Sequence, residues 1–357
     1  VPHQRKSENR GLPLRWRQYH GAYYYRVPPG LEALWGGRKQ YRLGTTLGEA
    51  ASEWAKHMTE AERRATYIRE LLDRYALEVI PTKAAATRRG DNLALVNLRK
   101  VFGDMRLEDL EPRHIYKYVD TRVDRQGKKS LATALHEIRV FKHSFTKAVE
   151  WGLMSRHPFK GEVRLRGMKP RNRYIEDWEI IEALSLVPKR KSGSVLMLQA
   201  YIRVKMLIGI RRGDMLRLRM SDITDSGVTV RPHKTANSTG LIRTFEWTPA
   251  LRAAVDMALA ARPIDIAPWL FCTKRGKGYF DEDTGQATGW DSMWQRFMSR
   301  LLAETKISQR FTEHDLRGKV GSDADSLERA RQLLGHADSK ITERVYRRKP
   351  EIVRPLR

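Results

Sequence analysis

A single cysteine, Cys272, stands in a chain of 357 residues. That scarcity excludes an internal disulfide and any multi-thiolate zinc or iron–sulfur site, and it agrees with a reducing compartment. Within LFCT the thiol reads as a small buried hydrophobe. Long apolar runs are missing as well. No window approaches the ~18 consecutive apolar residues of a spanning helix, and the leading VPHQRKSENR has no apolar centre of the kind a signal peptide carries. The expectation is a soluble, cytoplasmic chain. Neither an internal repeat nor a heptad run occurs. Acids are in short supply, 42 against 68 Lys plus Arg, which leaves a formal charge of +26. A surplus of that size names a polyanion as the default partner, nucleic acid ahead of an acidic membrane surface. The loop FDEDTG, Phe280 to Gly285, is the one place where a two-metal nuclease would be sought, although adjacent loop acids read more simply as solvated charge.

Hydrophobic residues make up 41% of the chain, enough for real cores, and the length suggests two or three domains. The pattern is mostly α with small β elements. Residues 1–66 open with a basic and aromatic stretch in which AYYYRV and RKQYRLG read as strands around the turn-forming PPGLEALWGG. A helix follows from Thr46, with Thr45 or Thr46 as cap and Glu49 closing a capping box. Residues 67–165 carry apolar positions at helical spacing, such as Ile68, Leu71, Leu72, Tyr75 and Val79. Breaks at Pro81, Gly103, Pro112, RQGKKS and HPFKG divide this stretch into four or five helices. The basic, aperiodic EVRLRGMKPRNR (Glu162 to Arg173) reads as an interdomain linker. Residues 166–357 are helical again, interrupted by one extended pair, GVTVRPHKT and LIRTFEWT, joined through ANSTG as a hairpin.

Chemistry concentrates in this last part. Arg211 and Asp214 lie three apart in GIRRGDMLRLRMSDI. They read either as a surface ion pair or as a carboxylate bracing a guanidinium that faces phosphate, a task suited to arginine's planar, permanently charged fork. His314 and Arg317 share the same spacing in HDLR. His336 closes LLGH, and Tyr346 is the only tyrosine after Tyr279. Lys234, at the tip of the expected hairpin, reads either as one solvated lysine among many or as an amine that reaches into a groove and protonates a departing oxygen, with Lys274 and Lys277 as rivals. In a chain this basic, the order His, Arg, His, Tyr points to attack on phosphodiesters.

Together, G-x-R-x-x-D at Gly209 to Asp214, Lys234 before a turn, H-x-x-R at His314 to Arg317, LLGH and Tyr346 resemble the signature of the tyrosine recombinases, the lambda-integrase family. Residues 67–165 are similar to that family's helical, SAM-like core-binding domain, residues 166–357 to its α+β catalytic domain, and residues 1–66 to an arm-type DNA-binding domain. Two departures stand out. Gly318 and Lys319 replace the usual histidine and threonine after Arg317, and the step from His336 to Tyr346 is one residue longer.

The resemblance implies that Tyr346 attacks the scissile phosphate, leaving a 3′-phosphotyrosine and a free 5′-hydroxyl, with no cofactor, metal or ATP. Arg211 and Arg317 would clamp the non-bridging oxygens. His314 and His336 would add hydrogen bonds, and Lys234 would protonate the leaving oxygen. Partners implied are double-stranded DNA at core and arm sites, three further copies in a tetramer, and DNA-bending accessory proteins, within the nucleoid of a bacterial host. Expected phosphate contacts are Arg15, Arg17, Arg26, Arg38, Lys39 and Arg42 in the first domain, Lys128 and Lys129 in the second, and Arg171 and Arg173 in the linker. The rival readings are a type IB topoisomerase and a DNA-binding regulator with a degenerate catalytic domain.

Overall fold

The computed structural model describes residues 9, 11–13, 15–27, 32–57, 67–124, 126–169, 171–189, 193–233, 240–349 and 355. Two compact units emerge, residues 1–168 and 169–357. The boundary falls inside the stretch read as a linker, where 163–169 and 171–176 carry neither helix nor strand.

The first unit holds two separate hydrophobic cores. Strands β1 (Trp16–Tyr19), β2 (Ala22–Arg26) and β3 (Gln40–Gly44) form an antiparallel sheet in that order. The pleat sends Trp16, Tyr25 and Leu43 inward against Trp35 and Ala50. It leaves a cross-strand row of Arg17, Tyr24 and Arg42 on the other face. Tyr19 stacks on Tyr24 with ring centroids 4.1 Å apart. The aromatic residues thus serve both a small core and an outer face. Helix α1 (Leu47–His57) starts as expected. Thr46 Oγ1 accepts the Glu49 N–H at 3.2 Å, and Glu49 Oε2 accepts the Thr46 N–H at 3.3 Å.

The second core is a bundle of α2 (Ile68–Glu78), α3 (Ala85–Phe102), α4 (Pro112–Thr121) and α5 (Leu131–Glu150). Each anticipated break falls between helices. Pro81 sits in a 3₁₀ turn, Gly103 caps α3, and Pro112 opens α4, where its missing N–H costs nothing. One buried carboxylate ties three of the four helices together. Glu137 of α5 accepts from Asn97 of α3 at 2.6 Å, from Tyr118 of α4 at 2.7 Å, and from both Nε and Nη2 of Arg122 at 2.8 and 2.9 Å.

The second unit comprises α6 (Asp177–Ser185), α7 (Ser194–Ile208), the single-turn α8 (Arg212–Met215), a sheet of β4 (Ile223–Thr224), β5 (Gly227–Val230) and β6 (Arg243–Glu246), then α9 (Pro249–Ala260), α10 (Thr288–Glu304), α11 (Glu313–Asp323), α12 (Leu327–Leu334) and α13 (Ser339–Tyr346). Its core is built on α7, whose apolar residues occupy nearly every position and are buried on most sides. The expected hairpin is β5 with β6, Val228 facing Phe245. Cys272 is fully buried. Among the described residues no helix is long and apolar enough to cross a membrane.

Glu137→Ala leaves Arg122 and Tyr118 without their acceptor inside the bundle. The expected cost is about 3 kcal/mol, read as faster amide hydrogen exchange across α3 to α5 with the second unit unchanged.

Candidate active site

The sequence FTEHDLR sets the first turn of α11. Thr312 caps it, its Oγ1 accepting the Asp315 N–H at 3.2 Å while Asp315 Oδ2 accepts the Thr312 N–H at 2.9 Å. The cap fixes the register, so His314 and Arg317 face the same cavity. Arg317 is 1% exposed. Its Nη1 donates to the Gly209 carbonyl and its Nη2 to the Leu334 carbonyl, both at 2.6 Å. Nη2 also lies 2.9 Å from His336 Nε2, and Nε is buried without a partner among the described residues. Burial pulls this guanidinium down to about 10, with Tyr346 opposing, so it remains charged at neutral pH.

Gly209 ends α7 in the left-handed conformation, φ 61°. A Cβ there would lie 2.8 Å from Val320, so only glycine permits both the turn and the close approach of α11. Arg211 follows at the N-terminus of α8. Lys205 Nζ, buried in α7, donates to the Ile210 carbonyl at 2.7 Å and holds this turn from below. Arg211 has no side-chain hydrogen bond or ion pair among the described residues, Asp214 included. The brace expected from Asp214 therefore takes another form: its Oδ1 accepts the His233 N–H at 3.0 Å, anchoring the base of the hairpin that carries Lys234. Lys234 itself lies outside the described residues. Lys274 and Lys277 are exposed and do not line the cavity.

After α12, Gly335 turns the chain at φ 64° and delivers His336. With Arg317 donating to Nε2, the ring carries its proton on Nδ1 and gives it to Thr342 Oγ1 at 2.8 Å. Burial holds His336 down at about 4, reinforced by Arg317, Arg211 and Arg243. His314 also sits at about 4, through burial first and then Arg348 and Arg317. Tyr346 closes α13. Its ring lies 5.2 Å from the Arg317 guanidinium, 5.3 Å from the His314 ring and 4.8 Å from that of His336. The extra residue between His336 and Tyr346 leaves the phenol within this group.

The departure at Gly318 has a steric reason. A Cβ at that position would meet the Arg348 guanidinium at 2.9 Å. Arg348, just past Tyr346, lies in the space glycine leaves and pairs with the fully buried Asp315 at 2.7 Å. Ser322 Oγ donates to the Tyr346 carbonyl and accepts the Arg348 N–H, both at 2.7 Å. Lys319 is spent on Asp177 and Asp323 at 2.6 and 2.9 Å.

An open cavity of about 860 Å³ brings Arg211, His314, Arg317, His336 and Tyr346 together. Arg171, expected to touch DNA, lines it too, with Nε 3.1 Å from Asp315. Arg173 pairs with Glu179 and donates to the Gln309 carbonyl at 3.4 Å, while its Nε is buried without a partner among the described residues. Arg15, Arg17, Arg26, Arg38, Lys39, Arg42, Lys128 and Lys129 are all exposed. Of the FDEDTG acids, Glu282 is held by Arg217 at 2.6 and 2.8 Å, and Asp281 accepts the Asp283 and Thr284 N–H groups. Sequence reasoning missed Lys205, Asp315 and Arg348. For Lys205 the signal was a cation at a position whose neighbours one turn away, Tyr201 and Ile208, are apolar, unlike that of the exposed Arg203. For Arg348 nothing distinguished it from its basic neighbours.

Gly318→Ala is expected to displace Arg348, costing about 1–3 kcal/mol and exposing residues 339–349 to faster hydrogen exchange. Acid should also weaken this unit. An unfolded histidine takes up its proton near pH 6.5, whereas His314 and His336 resist protonation down to about 4. The unfolded state then binds more protons, so stability falls as pH drops from 6.5 toward 4 and levels off below. Urea midpoints across that range, with His336→Asn as comparison, measure it.

Residues 179–351 match the sequence model of the phage integrase family. A search of curated protein sequences gave no match. Among solved structures, a lambda integrase tetramer bound to a Holliday junction superposes with a TM-score of 0.62 at 18% identity, covering 99% of each chain. The Tn1549 transposon integrase in complex with transposon right end DNA gives 0.60 at 13%, covering 76% of this chain and 93% of that one. At such identities the likeness speaks for the fold, while the family rests on the sequence match across the very segments that build this cavity. Residues 179–351, just under half of the chain, thus match the phage integrase family, and the fold is that of the lambda and Tn1549 integrases.

Proposed function

We propose that this chain cleaves and rejoins double-stranded DNA by transesterification and serves as a phage or prophage integrase. The observation that carries the reading is the meeting of Tyr346, His314, His336, Arg317 and Arg211, the last without a partner among the described residues, around one cavity. Arg171, Arg212 and Arg310 line the same cavity, yet each has a protein partner in Asp315, Asp291 or Gln295. Arg211 and the orphaned Nε of Arg317 are the donors left over. Unsatisfied guanidinium N–H groups in a partly dry site call for an anion with several oxygens, and a backbone phosphate supplies it.

In this mechanism the Tyr346 oxygen bonds to phosphorus and the bond to the 5′-oxygen breaks. The product is a 3′-phosphotyrosine, and the bond energy is retained for the reverse attack by another strand's 5′-hydroxyl. Negative charge gathers on the non-bridging oxygens in the transition state, where Arg211 and Arg317 oppose it. His314 is neutral and free to accept the phenolic proton, and its basicity rises once a phosphate offsets the surrounding arginines. His336 acts mainly through Arg317, whose Nη2 it receives. Lys234 protonates the leaving 5′-oxygen. Recombination of two duplexes calls for a tetramer on DNA. The row of Arg17, Tyr24 and Arg42 fits reading of a separate arm site by the outer sheet face.

The test begins by selecting a tight-binding duplex from a randomised pool, then nicking it so that cleavage cannot reverse. Wild-type protein in EDTA is expected to yield a DNA-linked species on denaturing gels, and Tyr346→Phe none. Arg211→Ala should slow trapping about 10²- to 10³-fold with duplex affinity nearly kept. Trapping that survives Tyr346→Phe would exclude that nucleophile, and relaxation of supercoils without site preference would favour a topoisomerase.

A further inference from the structure

A third arginine sits beside this site, and neither motif nor mechanism accounts for it. Arg243 opens β6, across the hairpin from Val230. Its side chain is partly buried and packs over Gly335, the residue that precedes His336. A Cβ on Gly335 would collide with the guanidinium, so the glycine of LLGH serves as its seat as well as turning the chain. Arg243 has no hydrogen bond, ion pair or ring contact among the described residues. Its electrostatic neighbours are Arg211, which repels it, and Asp214, which attracts it without reaching ion-pair distance. The Asp214 carboxylate is already occupied by the His233 N–H. Residues 234–239 read KTANST in the sequence and include no acid.

Holding a guanidinium partly out of water, against a second guanidinium and without a counter-ion, is costly. Two arginines in this condition on adjoining elements mark the position of an anion that arrives with the substrate. Arg243 does not line the cavity shared by Arg211 and Tyr346. It lies against Gly335, within electrostatic reach of Arg211 and His336. We propose that Arg243 binds the backbone phosphate next to the scissile one on the cleaved strand, and so fixes the strand's register over Tyr346. The proposal rests on the DNA-cleaving reading above. It gives the start of β6 a direct part in holding the strand.

The experiment uses the full chain and the selected, nicked duplex, prepared with a single methylphosphonate at the scissile position or at either neighbour. Wild-type trapping on the all-phosphate duplex is the control for the underlying reading. If it fails, the function is wrong and Arg243 is not yet in question. Given trapping, Arg243→Ala is expected to be about 10- to 100-fold slower on the all-phosphate duplex. A methylphosphonate at one neighbouring position should slow the wild type by a similar factor and leave the variant unchanged. Arg243→Lys, which keeps the charge but not the fork, should recover part of the rate and of the sensitivity. A purely structural role predicts the same loss with every duplex. Equal sensitivity of wild type and variant at each position, or loss of sensitivity at the scissile position alone, would overturn the assignment.

Discussion

The Arg317 guanidinium is the constraint on which the second unit turns. It enters from α11 and ends in the carbonyls of Gly209 and Leu334, the final turns of α7 and α12. These are groups that helix termini leave unsatisfied, so one side chain closes two helix ends and fixes the spacing between the segments that carry Arg211 and His336. Its third contact sets the histidine tautomer, and its face lies against the Tyr346 ring. A neutral residue could fill the volume but could not satisfy two carbonyls and an imidazole at once. Scaffold and candidate chemistry therefore share one atom group, which is why so large a cation is accepted at 1% exposure.

Much of this was legible in the chain because it follows from local rules. The capping residue Thr46, the breaks at Pro81 and Pro112, and the alternation along AYYYRV each act within a few residues. The motif residues were legible too, since Gly209, Arg211, His314, Arg317 and Gly335 are bound together by steric and hydrogen-bonding needs that few substitutes meet. What escaped were partnerships between distant segments. Nothing near Arg173 announces Glu179 as its partner in preference to DNA, because six residues separate them across the start of α6. Asp214 was rightly placed beside Arg211 in sequence, yet the extended backbone at Arg211 sends its carboxylate to the hairpin. Arg348 is one of a run of basic residues, and only the gap above Gly318 identifies it.

The electrostatics of the site follow from an imbalance. Arg211, Arg243, Arg317 and Lys205 converge, and of the acids nearby Glu313 is occupied by Tyr201 and Trp290 at 2.5 and 3.2 Å. Burial lowers Lys205 to about 7, even with Glu313 opposing. The two histidines are kept neutral by the same conditions. A field this positive is unfavourable in the free protein and favourable around a phosphate, so the cost of assembling it is offset on binding. That is the sense in which the site is preorganised: Arg317 and Lys205 are fixed by backbone carbonyls, and these two cations have little left to rearrange when the anion enters.

The tyrosine's seat extends the argument from charge to shape. Tyr346 ends a helix of eight residues, too short to hold its place by intrinsic helicity. Position must come from contacts at its ends. At the start, Asp338 caps the helix and Thr342 receives the His336 proton. At the finish, Ser322 bridges the Tyr346 carbonyl and the Arg348 N–H, and Arg348 reaches Asp315 across the bare backbone of Gly318. Gly321 adds a second bare position, its missing Cβ opposite that of Tyr346 at 3.0 Å. Two glycines one turn apart on α11 thus form a flat strip against which the tyrosine segment lies. The substitution at Gly318 and the arginine at 348 are consequently one structural choice, made in two places along the chain.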